Sequence, residues 1–480
     1  MSKRRFLKIG CLLLALLSVF STFVACDSSS DTEGETAQVS LAEDEKEPVP
    51  HYDWKGRVFT VLAEKNPYEP NFEIVGQIGG ERVSEDVFYR NVWIEEYYNV
   101  KIEEFGAEGY KNLDLLKNTT NAGDNAYDLA FLVRNDMGTA ILDGYMSDMT
   151  TVEYLNLEND WYNDLTIESM MISGRLFHMV SDFSLVDKAR TNVLFLNRDM
   201  AAKNNVPDIV EMVREGTWTI EEMIKYAKSA DLNGDGEIGL NDQWGLTNGG
   251  KEACVAFWSA LDNLIVSFDE NDVWSVGVAT EHSVNSIELL RNIFDDNISF
   301  NGSRWNDYGL AYDVFIDSRS YFMASTLSTL EALSADVEFS YTALPFPKYD
   351  VEQKGYYTTN DNTYLSTFGI PKCAADPNFS GFMVEVLSWR SSTTTFPAYY
   401  EITCKIKKSY DLVCSEMLDV VFDGLIFDFG LVYGNKINLK TKILMESIYT
   451  DKAITTLYDG VKTATEGKID NLFSSVEVLE

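Results

Sequence analysis

A run of oxygen-bearing side chains at alternating positions lies near the middle of the chain. The motif D-x-[DN]-x-[DN]-G-x5-E of calcium loops is matched, apart from a closing Asp where Glu is usual, by Asp231, Asn233, Asp235, Gly236, Glu237 and Asp242. Oxygens at positions 1, 3 and 5 converge on a hard cation, and Glu237 offers its main-chain carbonyl. Because Asp is shorter than Glu, two-oxygen closure is weakened. The pattern predicts one structural Ca²⁺ site, with a solvated acidic turn as the alternative.

A helix with a strong start signal precedes this loop. Thr219 is placed as the N-cap and Glu222 as its capping-box partner, so each side chain can satisfy the other's main-chain N–H. Trp218 and Met223 have the spacing of a hydrophobic staple. The sequence therefore predicts a short amphipathic helix that begins after Thr219.

Motifs for covalent or metal-dependent catalysis are missing from the sequence. The chain has three histidines, His51, His178 and His282, too far apart in sequence to suggest a triad or a cluster. It contains no G-x-S-x-G, H-E-x-x-H or Walker pattern. Its 76 acidic residues leave a glycoside hydrolase open, since two carboxylates suffice for that reaction. The missing motifs therefore favour no particular class of enzyme.

The first 25 residues have the pattern of an export signal. Lys3, Arg4, Arg5 and Lys8 precede an apolar run that is short for a membrane span. The segment ending at Cys26, FVAC, resembles a bacterial lipobox, which predicts acylation of Cys26 and a lipid anchor. An ordinary cleaved signal is the alternative. Residues 26–52 are polar and lack periodicity, which predicts a disordered tether.

The net charge limits the partners the chain can bind, and the cysteine spacing indicates the state of its thiols. The chain carries 39 basic and 76 acidic residues, a formal net charge of −37, which argues against binding to nucleic acid or anionic lipid surfaces. Beyond Cys26 the cysteines show no C-x-x-C spacing and are interpreted as free or buried thiols; they are Cys254, Cys373, Cys404 and Cys414.

Strand and helix patterns alternate along the chain, which indicates an α/β fold with a mostly parallel sheet. Strands are predicted at 57–66, from 100, at 127–133, 175–185, 191–197, 338–350 and 363–372, with helices at 84–100 and after 110. Residues 198–335 are interpreted as a helix-rich insert. The chain therefore forms a first α/β segment, the insert, a second strand-containing segment and a helical tail. This order predicts two discontinuous lobes.

Several of these pieces, in this order, resemble the family 1 extracellular solute-binding proteins, the lipid-anchored receptors of bacterial ABC sugar importers. The pieces are the lipobox, the YDL strand, LFLNRDM, GTWT, DLNGDG with DQWG, and LPFPKYD through GIPK to EVLSWRSS. The order is closest to the clostridial-type branch. The resemblance implies a two-lobed type II periplasmic-binding-protein fold with hinge crossings near 183–192, 336–340 and 388–395. It implies lobe 1 at 53–185 and 338–391, and lobe 2 at 186–337 and 392–480.

That resemblance also implies a binding protein rather than an enzyme, with a surface glycosidase second and a scaffold third. It implies a monomer on the outer face of the cytoplasmic membrane that delivers a carbohydrate, with an oligosaccharide preferred, to permease subunits. A peptide or polyol ligand is the alternative. Aromatic rings pack on sugar faces and planar polar groups satisfy hydroxyls. Strand-end candidates are Asn66, Arg134, Asn135 and Asp182, although Arg134 also suits a surface charge. Aromatic candidates are Trp218, Trp258 and Trp305, with the staple as an alternative for Trp218 and the core for Trp258.

Overall fold

We describe the protein from a computed structural model. The description covers residues 46–63, 74–79, 82–107, 109, 111–250, 253–269, 273–302, 307, 309–360, 365–404, 412–439 and 441–477. All of these residues belong to one compact unit that spans 43–480. The predicted signal segment, Cys26 and the first part of the predicted tether lie outside the described residues, as do Asn66 and Trp305.

A four-stranded sheet is built mainly from the N-terminal part of the chain. Its strands are β1 (Arg57–Leu62), β2 (Val100–Phe105), β3 (Leu129–Val133) and β11 (Ser366–Gly369), in the spatial order β2-β1-β3-β11. The first three are parallel and β11 is antiparallel to β3. Helices α1 (Arg82–Tyr98) and α2 (Asn112–Ala122) make the crossover connections, and α2 ends at Gly123 in the left-handed conformation that glycine favours. This sheet is the centre of the first lobe.

A five-stranded sheet forms the centre of the second lobe. Its strands are β4 (Asn192–Asn197), β5 (Trp244–Asn248), β8 (Ser299–Asn301), β9 (Ser320–Thr326) and β10 (Tyr341–Leu344), in the order β10-β4-β9-β5-β8. Strand β5 is parallel to β8 and β9, whereas β4 is antiparallel to β9 and β10. A separate hairpin joins β6 (Val266–Phe268) to β7 (Trp274–Val276). The second sheet is therefore mixed, whereas the first is mainly parallel.

The helices between β3 and the end of β10 are short. They are α3 (Arg134–Leu142), α4 (Asp164–Met170), α5 (Val186–Ala189), α6 (Arg198–Lys203), α7 (Ile209–Glu215), α8 (Ile220–Tyr226), α9 (Ala253–Ala260), α10 (Glu281–Ile293), α11 (Leu310–Ile316) and α12 (Thr329–Asp336). Single 3₁₀ turns occur at Met149–Thr151 and Gly277–Ala279. The predicted start of α8 is confirmed, because the Thr219 hydroxyl accepts the N–H of Glu222 at 3.4 Å. The Glu222 carboxylate instead bonds Lys225, so the box is half formed.

The C-terminal part of the chain is helical. Its helices are α13 (Pro377–Thr393), α14 (Thr395–Cys404), α15 (Leu412–Asp423), α16 (Phe429–Ile437), α17 (Lys442–Tyr449), α18 (Ile454–Asp459) and α19 (Lys462–Glu477). Helix α13 packs on the core of the first sheet, and α15 packs against β10 of the second. Helix α16 contacts α3, which directly follows a strand of the first sheet. The tail therefore does not belong to the second lobe alone, as the sequence-based boundary at 392 implies.

Three passages of the chain between the sheets lie side by side and are joined by hydrogen bonds. They are residues 184–191, the segment 345–360 and the segment 424–427. Asn192 donates its main-chain and side-chain N–H groups to the Thr359 carbonyl, at 3.1 and 2.7 Å. Thr358 donates its N–H to Gly424 and accepts from Ile426, at 2.9 and 3.0 Å. Asn360 donates to the Asp187 carbonyl at 2.6 Å. The middle passage is thus bonded to both of its neighbours.

Strand pairing differs from the sequence-based prediction in three places. Residues 338–350 were assigned to the first lobe, but Tyr341–Leu344 pairs with β4 of the second sheet. The insert 198–335 contains three strands of that sheet in addition to its helices. In the predicted strand 175–185, the β-pairing with the first sheet among the described residues is the single bridge of Met179 to Phe368. A short apolar stretch carries no information about its distant partner, which explains these differences.

The predicted tether is ordered at its C-terminal end. The Glu47 carboxylate accepts the Tyr97 hydroxyl at 2.7 Å, and the His51 ring lies edge-on to Tyr97 with centroids 4.8 Å apart. Val49 is buried in the core of the first sheet. Apolar burial and ring contacts offset the loss of chain entropy for these residues. The boundary at 52 is therefore too late, because the chain is already held on α1 from Glu47.

Replacement of Gly424 by Ala tests the packing of the passages. A Cβ at Gly424 would collide with the carbonyl oxygen of Tyr356, and main-chain atoms cannot move aside as a flexible side chain does. We expect Gly424→Ala to lower the free energy of unfolding by about 1–3 kcal/mol, measured by chemical denaturation. Gly467→Ala in α19 is the matched control, since its Cβ meets open space and should raise stability by about 0.5–1 kcal/mol. Equal effects of the two changes would contradict the tight contact.

Candidate ligand-binding cleft

The carboxyl ends of the parallel strands in both sheets face the passages between the lobes. Ser366, the first residue of β11 after the middle passage, pairs with Val133, the last residue of β3. Asn192, the first residue of β4 after the passage at 184–191, pairs with Thr326, the last residue of β9. Ligands of open α/β sheets bind beyond the carboxyl ends of the strands. The candidate cleft is therefore the space between these two sheet edges.

Arg134 marks the edge of the first sheet. It follows β3 directly, donates its main-chain N–H to the Leu365 carbonyl at 3.0 Å, and is buried, with 1% of its surface exposed. Burial, together with the nearby Arg134 charge, lowers the pKa of His178 to about 3, so this imidazole is neutral. Nδ1 of His178 lies 3.0 Å from the Thr367 hydroxyl on β11. Arg134 thus belongs to a buried polar cluster and is not the surface charge that the sequence allows.

Asp428 links this cluster to the second lobe. It caps α16, with its carboxylate accepting N–H groups from Gly430 at 2.7 Å and from Ile265 at 2.5 Å. Ile265 directly precedes β6 in the connection between β5 and β8. Burial raises the pKa of Asp428 to about 6, although these amides and the charge of Arg134 lower it. One carboxylate therefore joins the start of α16 to the main chain before β6.

The edge of the second sheet carries two adjacent carboxamides. Asn248 and Asn301 are the last residues of β5 and β8 and pair directly in register. Both are buried, and the Asn248 amide donates to the Ser299 hydroxyl at 2.9 Å. Amides offer both donors and acceptors, which suits ligand hydroxyls. The sequence analysis missed this pair; the signal it held was an Asn that ends a β-type run before Gly249 and Gly250.

The polar residues selected from the sequence lie in different surroundings. Asn135 is exposed at the start of α3, next to the buried Arg134. Asp182 is half-buried and donates its N–H to the Trp161 carbonyl at 3.1 Å. Asn66 lies outside the described residues. Their roles in binding a ligand stay predictions.

The two described tryptophan candidates are fully buried. Trp218 donates its Nε1–H to the Pro345 carbonyl at 3.3 Å and shares a core with Met223, as the staple spacing predicts. Trp258 lies in the same core on α9. Full burial favours the packing alternative for both rings over the role of a sugar platform. Trp305, the third candidate, lies outside the described residues.

The predicted calcium loop is closed at its ends by an antiparallel bridge between Ala230 and Gln243. Asp231 accepts the N–H of Gly236 at 2.8 Å, and the buried Asp242 accepts those of Leu232 and Gly239 at 2.8 and 2.7 Å. The main-chain N–H groups of Gly239 and Leu232 lower the pKa of Asp242.

These loop contacts fit a metal site only in part. Each carboxylate oxygen keeps a further lone pair beside the amide that it accepts, so the contacts are compatible with an ion. Asn233 and Asp235 are also turned towards the loop, accepting the N–H groups of Asp235 and Glu237 at 2.8 and 2.9 Å. In the described part of the chain, no three His, Cys, Asp or Glu side chains converge closely enough to hold a metal ion. Calcium binding stays a prediction.

Three of the described cysteines lie in the interior. Cys254, Cys373 and Cys414 are buried, which agrees with the interpretation as buried thiols. Among the described residues, no helix has both the length and the apolar character needed to cross a membrane.

Comparison with known proteins identifies the fold. No protein-family model matches the sequence, and no curated protein matches it. A cyclo/maltodextrin-binding protein complexed with maltotetraose superposes with a TM-score of 0.59 at 11% identity, covering 86% of this chain and 98% of that chain. An extracellular solute-binding protein from Staphylococcus aureus in complex with maltose gives 0.58 at 12% identity, covering 87% and 99%.

A third similar structure is the galacto-N-biose-/lacto-N-biose I-binding protein of an ABC transporter from Bifidobacterium longum, in complex with lacto-N-biose. It gives a TM-score of 0.57 at 12% identity and covers 88% of this chain and 98% of that chain. Identities this low establish similarity of fold alone. The predicted fold class, α/β with two lobes of the periplasmic-binding-protein type, is confirmed.

Replacement of Asp428 by Asn tests the link between α16 and the main chain at Ile265. The variant keeps the size of the side chain but replaces one acceptor oxygen by a donor, which leaves a buried N–H without its partner. We expect the free energy of unfolding to fall by about 1–3 kcal/mol in chemical denaturation at pH 7. Asp459→Asn at the exposed end of α18 is the control and should change stability by less than about 0.5 kcal/mol. Equal stability of the two variants would contradict a structural role for the Asp428 carboxylate.

Proposed function

We propose that this protein is the substrate-binding component of a bacterial ABC importer and captures a carbohydrate between its two lobes. The observation that carries the proposal is the arrangement of the two sheets, whose carboxyl edges face the passages that join the lobes. A ligand held between these edges contacts both lobes at once, so its binding favours a closed arrangement. Because the closed protein presents a different surface from the open one, a permease can distinguish the ligand-bound form from the free form.

A carbohydrate is the ligand class that the chemistry supports best. The similar structures were solved with maltotetraose, maltose and lacto-N-biose. In this chain Asn248 and Asn301 place neighbouring carboxamides at one edge, and Asn192 lies at the same edge of the second sheet. Amides match hydroxyl groups that both donate and accept hydrogen bonds. An oligosaccharide is preferred over a monosaccharide by the family resemblance of the sequence.

The proposal includes attachment to the membrane through lipid on Cys26. An acylated and palmitoylated Cys26 would hold the mature chain on the outer face of the cytoplasmic membrane, where permease subunits are its partners. The segment from Glu47 is bonded to α1 of the first lobe, so the tether would reach the membrane from that lobe. We also propose that the protein is a monomer and that it belongs to the clostridial-type branch of the family.

Binding is tested by thermal unfolding of the full chain with mono- and oligosaccharides, and with peptides and polyols as the contrasting ligands. A ligand that binds only the folded state adds about 4 kcal/mol at a thousandfold its Kd, which is readily measured. We expect a shift with one glycan class, a smaller radius of gyration in solution scattering, and no product. A shift with peptides or polyols alone would overturn the sugar assignment, and released product would favour a glycoside hydrolase.

The Asn301 carboxamide offers a site-specific version of this test. Asn301→Ala removes the amide at the carboxyl edge, and we expect the sugar affinity to fall at least tenfold in calorimetric titration. Asn297→Ala is the matched control, because Asn297 is exposed four residues earlier and bonds only Asp295 among the described residues. Equal affinities for the two variants would move the ligand away from this edge.

We further propose that the loop from Asp231 to Asp242 binds one structural Ca²⁺. The order of its oxygen-bearing residues and the glycines in left-handed conformation support the proposal. We expect Ca²⁺ to raise the unfolding temperature and a chelator to reverse the effect. Asp235→Asn should weaken Ca²⁺ binding about tenfold in calorimetric titration, because it removes a charge at loop position 5. Asp459→Asn is the control, and an unfolding temperature that is indifferent to Ca²⁺ would contradict the proposal.

A further inference from the structure

A groove of about 850 Å³ lies on the second lobe between α8, α10 and the turn at 349–351. None of its lining residues belongs to the strand ends that form the candidate cleft. Its wall combines aromatic rings, carboxamides, hydroxyl groups and carboxylates over an apolar floor that includes Met212 and Leu289. Small-molecule sites likewise combine apolar and aromatic surface with convergent polar groups, and this groove holds more polar groups than most.

Two tyrosines give the groove its aromatic surface. Tyr349 packs one side of its ring on His282, with ring centroids 4.3 Å apart, and donates its main-chain N–H to the Gln353 side chain at 2.8 Å. Tyr226 lines the groove from the end of α8. Both rings are half-buried, so each keeps surface that is open to a ligand. A ring fixed in this way loses little conformational entropy when a sugar packs on it.

Helix α10 supplies a row of polar groups along the groove. Asn285, Glu288 and Asn292 recur at three and four residues, which places them on one face over about 10 Å. All three are exposed, and no hydrogen bond to either amide is formed within the described part of the chain. Arg291 holds the Glu288 carboxylate at 2.7 Å and is itself anchored on the Ser447 carbonyl. The row therefore offers one carboxylate held by Arg291 and two amides whose donors and acceptors are open to a ligand.

The charges around the groove favour an uncharged ligand over a polycation. Glu222 and Glu288 are compensated by Lys225 at 3.2 Å and Arg291 at 2.7 Å. The buried Lys348 lies beneath the turn and bonds the Val351 carbonyl at 3.3 Å. Three cations thus lie beside the four carboxylates of the lining, which also include Glu221 and Asp350, and they reduce the attraction for a further cation. Paired carboxylates remain good acceptors for hydroxyl groups.

We propose that this groove is an accessory carbohydrate-binding site, separate from the cleft between the lobes. A pyranose packs on Tyr349 while its hydroxyl groups bond Asn285, Glu288 and Asn292. The site takes neutral oligosaccharides and does not require lobe closure, since α8 and α10 belong to the second lobe and the turn is held on the start of α8 by the bridge of Lys348 to Thr219.

The test measures sugar binding by ligand-observed NMR and calorimetric titration on the full chain. The probes are maltotetraose, cellotetraose, a galactan tetrasaccharide and a mannan tetrasaccharide. Tyr349→Ala should lower the affinity of the accessory site at least tenfold for the sugar that binds it, because the platform is lost. Tyr349→Phe should retain it, since the ring face remains. Tyr89→Ala is the matched control, an exposed tyrosine on α1 outside the groove.

Three results distinguish this proposal from the proposed function. Lobe closure in solution scattering that persists in Tyr349→Ala, together with loss of a second binding event, supports the accessory site. Closure and affinity that are identical in the wild type and Tyr349→Ala overturn it and leave the proposed function intact. No binding of any probe overturns the accessory site, and the separate thermal screen then decides the proposed function. An unfolding temperature equal to that of Tyr89→Ala shows that the Tyr349→Ala variant is folded.

Discussion

The hydrogen bonds of Thr358, Thr359 and Asn360 set the geometry on which the two lobes depend. This short stretch bonds the passage before it through Asn192 and Asp187, and the passage after it through Gly424 and Ile426. Buried main-chain groups that lose such partners cost free energy, so the passages are expected to move together. A change in the angle between the lobes must then be absorbed by the residues at the ends of the passages.

The same constraint determines which face of each sheet edge is available to a ligand. Strands β4 and β11 both start where the passages arrive, so the parallel strands around them end there. On the first sheet, part of this edge is covered by α16, whose capping residue Asp428 also bonds the main chain at Ile265. Gly138 allows this coverage, because a Cβ there would lie 3.0 Å from the Val432 carbonyl. Arg134 is buried as a consequence, although it occupies a strand-end position.

Local sequence signals predicted the elements better than their partners. The capping residue Thr219, the alternation in β1 and the buried run of β3 each depend on neighbours within a few residues. Pairing of Tyr341–Leu344 with β4 joins residues about 150 positions apart, and no local pattern encodes that choice. The tether boundary was missed for the same reason, since Glu47 is held by Tyr97, a distant residue.

The site residues show why packing and binding are hard to separate in a sequence. A tryptophan beside an amphipathic helix satisfies the pattern of a staple and that of a sugar platform, and burial decides between them. Trp218 and Trp258 are buried, which favours packing. Asn248 and Asn301 become a candidate site only because the strand register places them side by side. A ligand site at a sheet edge is assembled by strand order, and strand order is the non-local property that sequence patterns specify least. The half-exposed Tyr226 and Tyr349 illustrate the converse, because helix packing rather than any motif brings them to one groove.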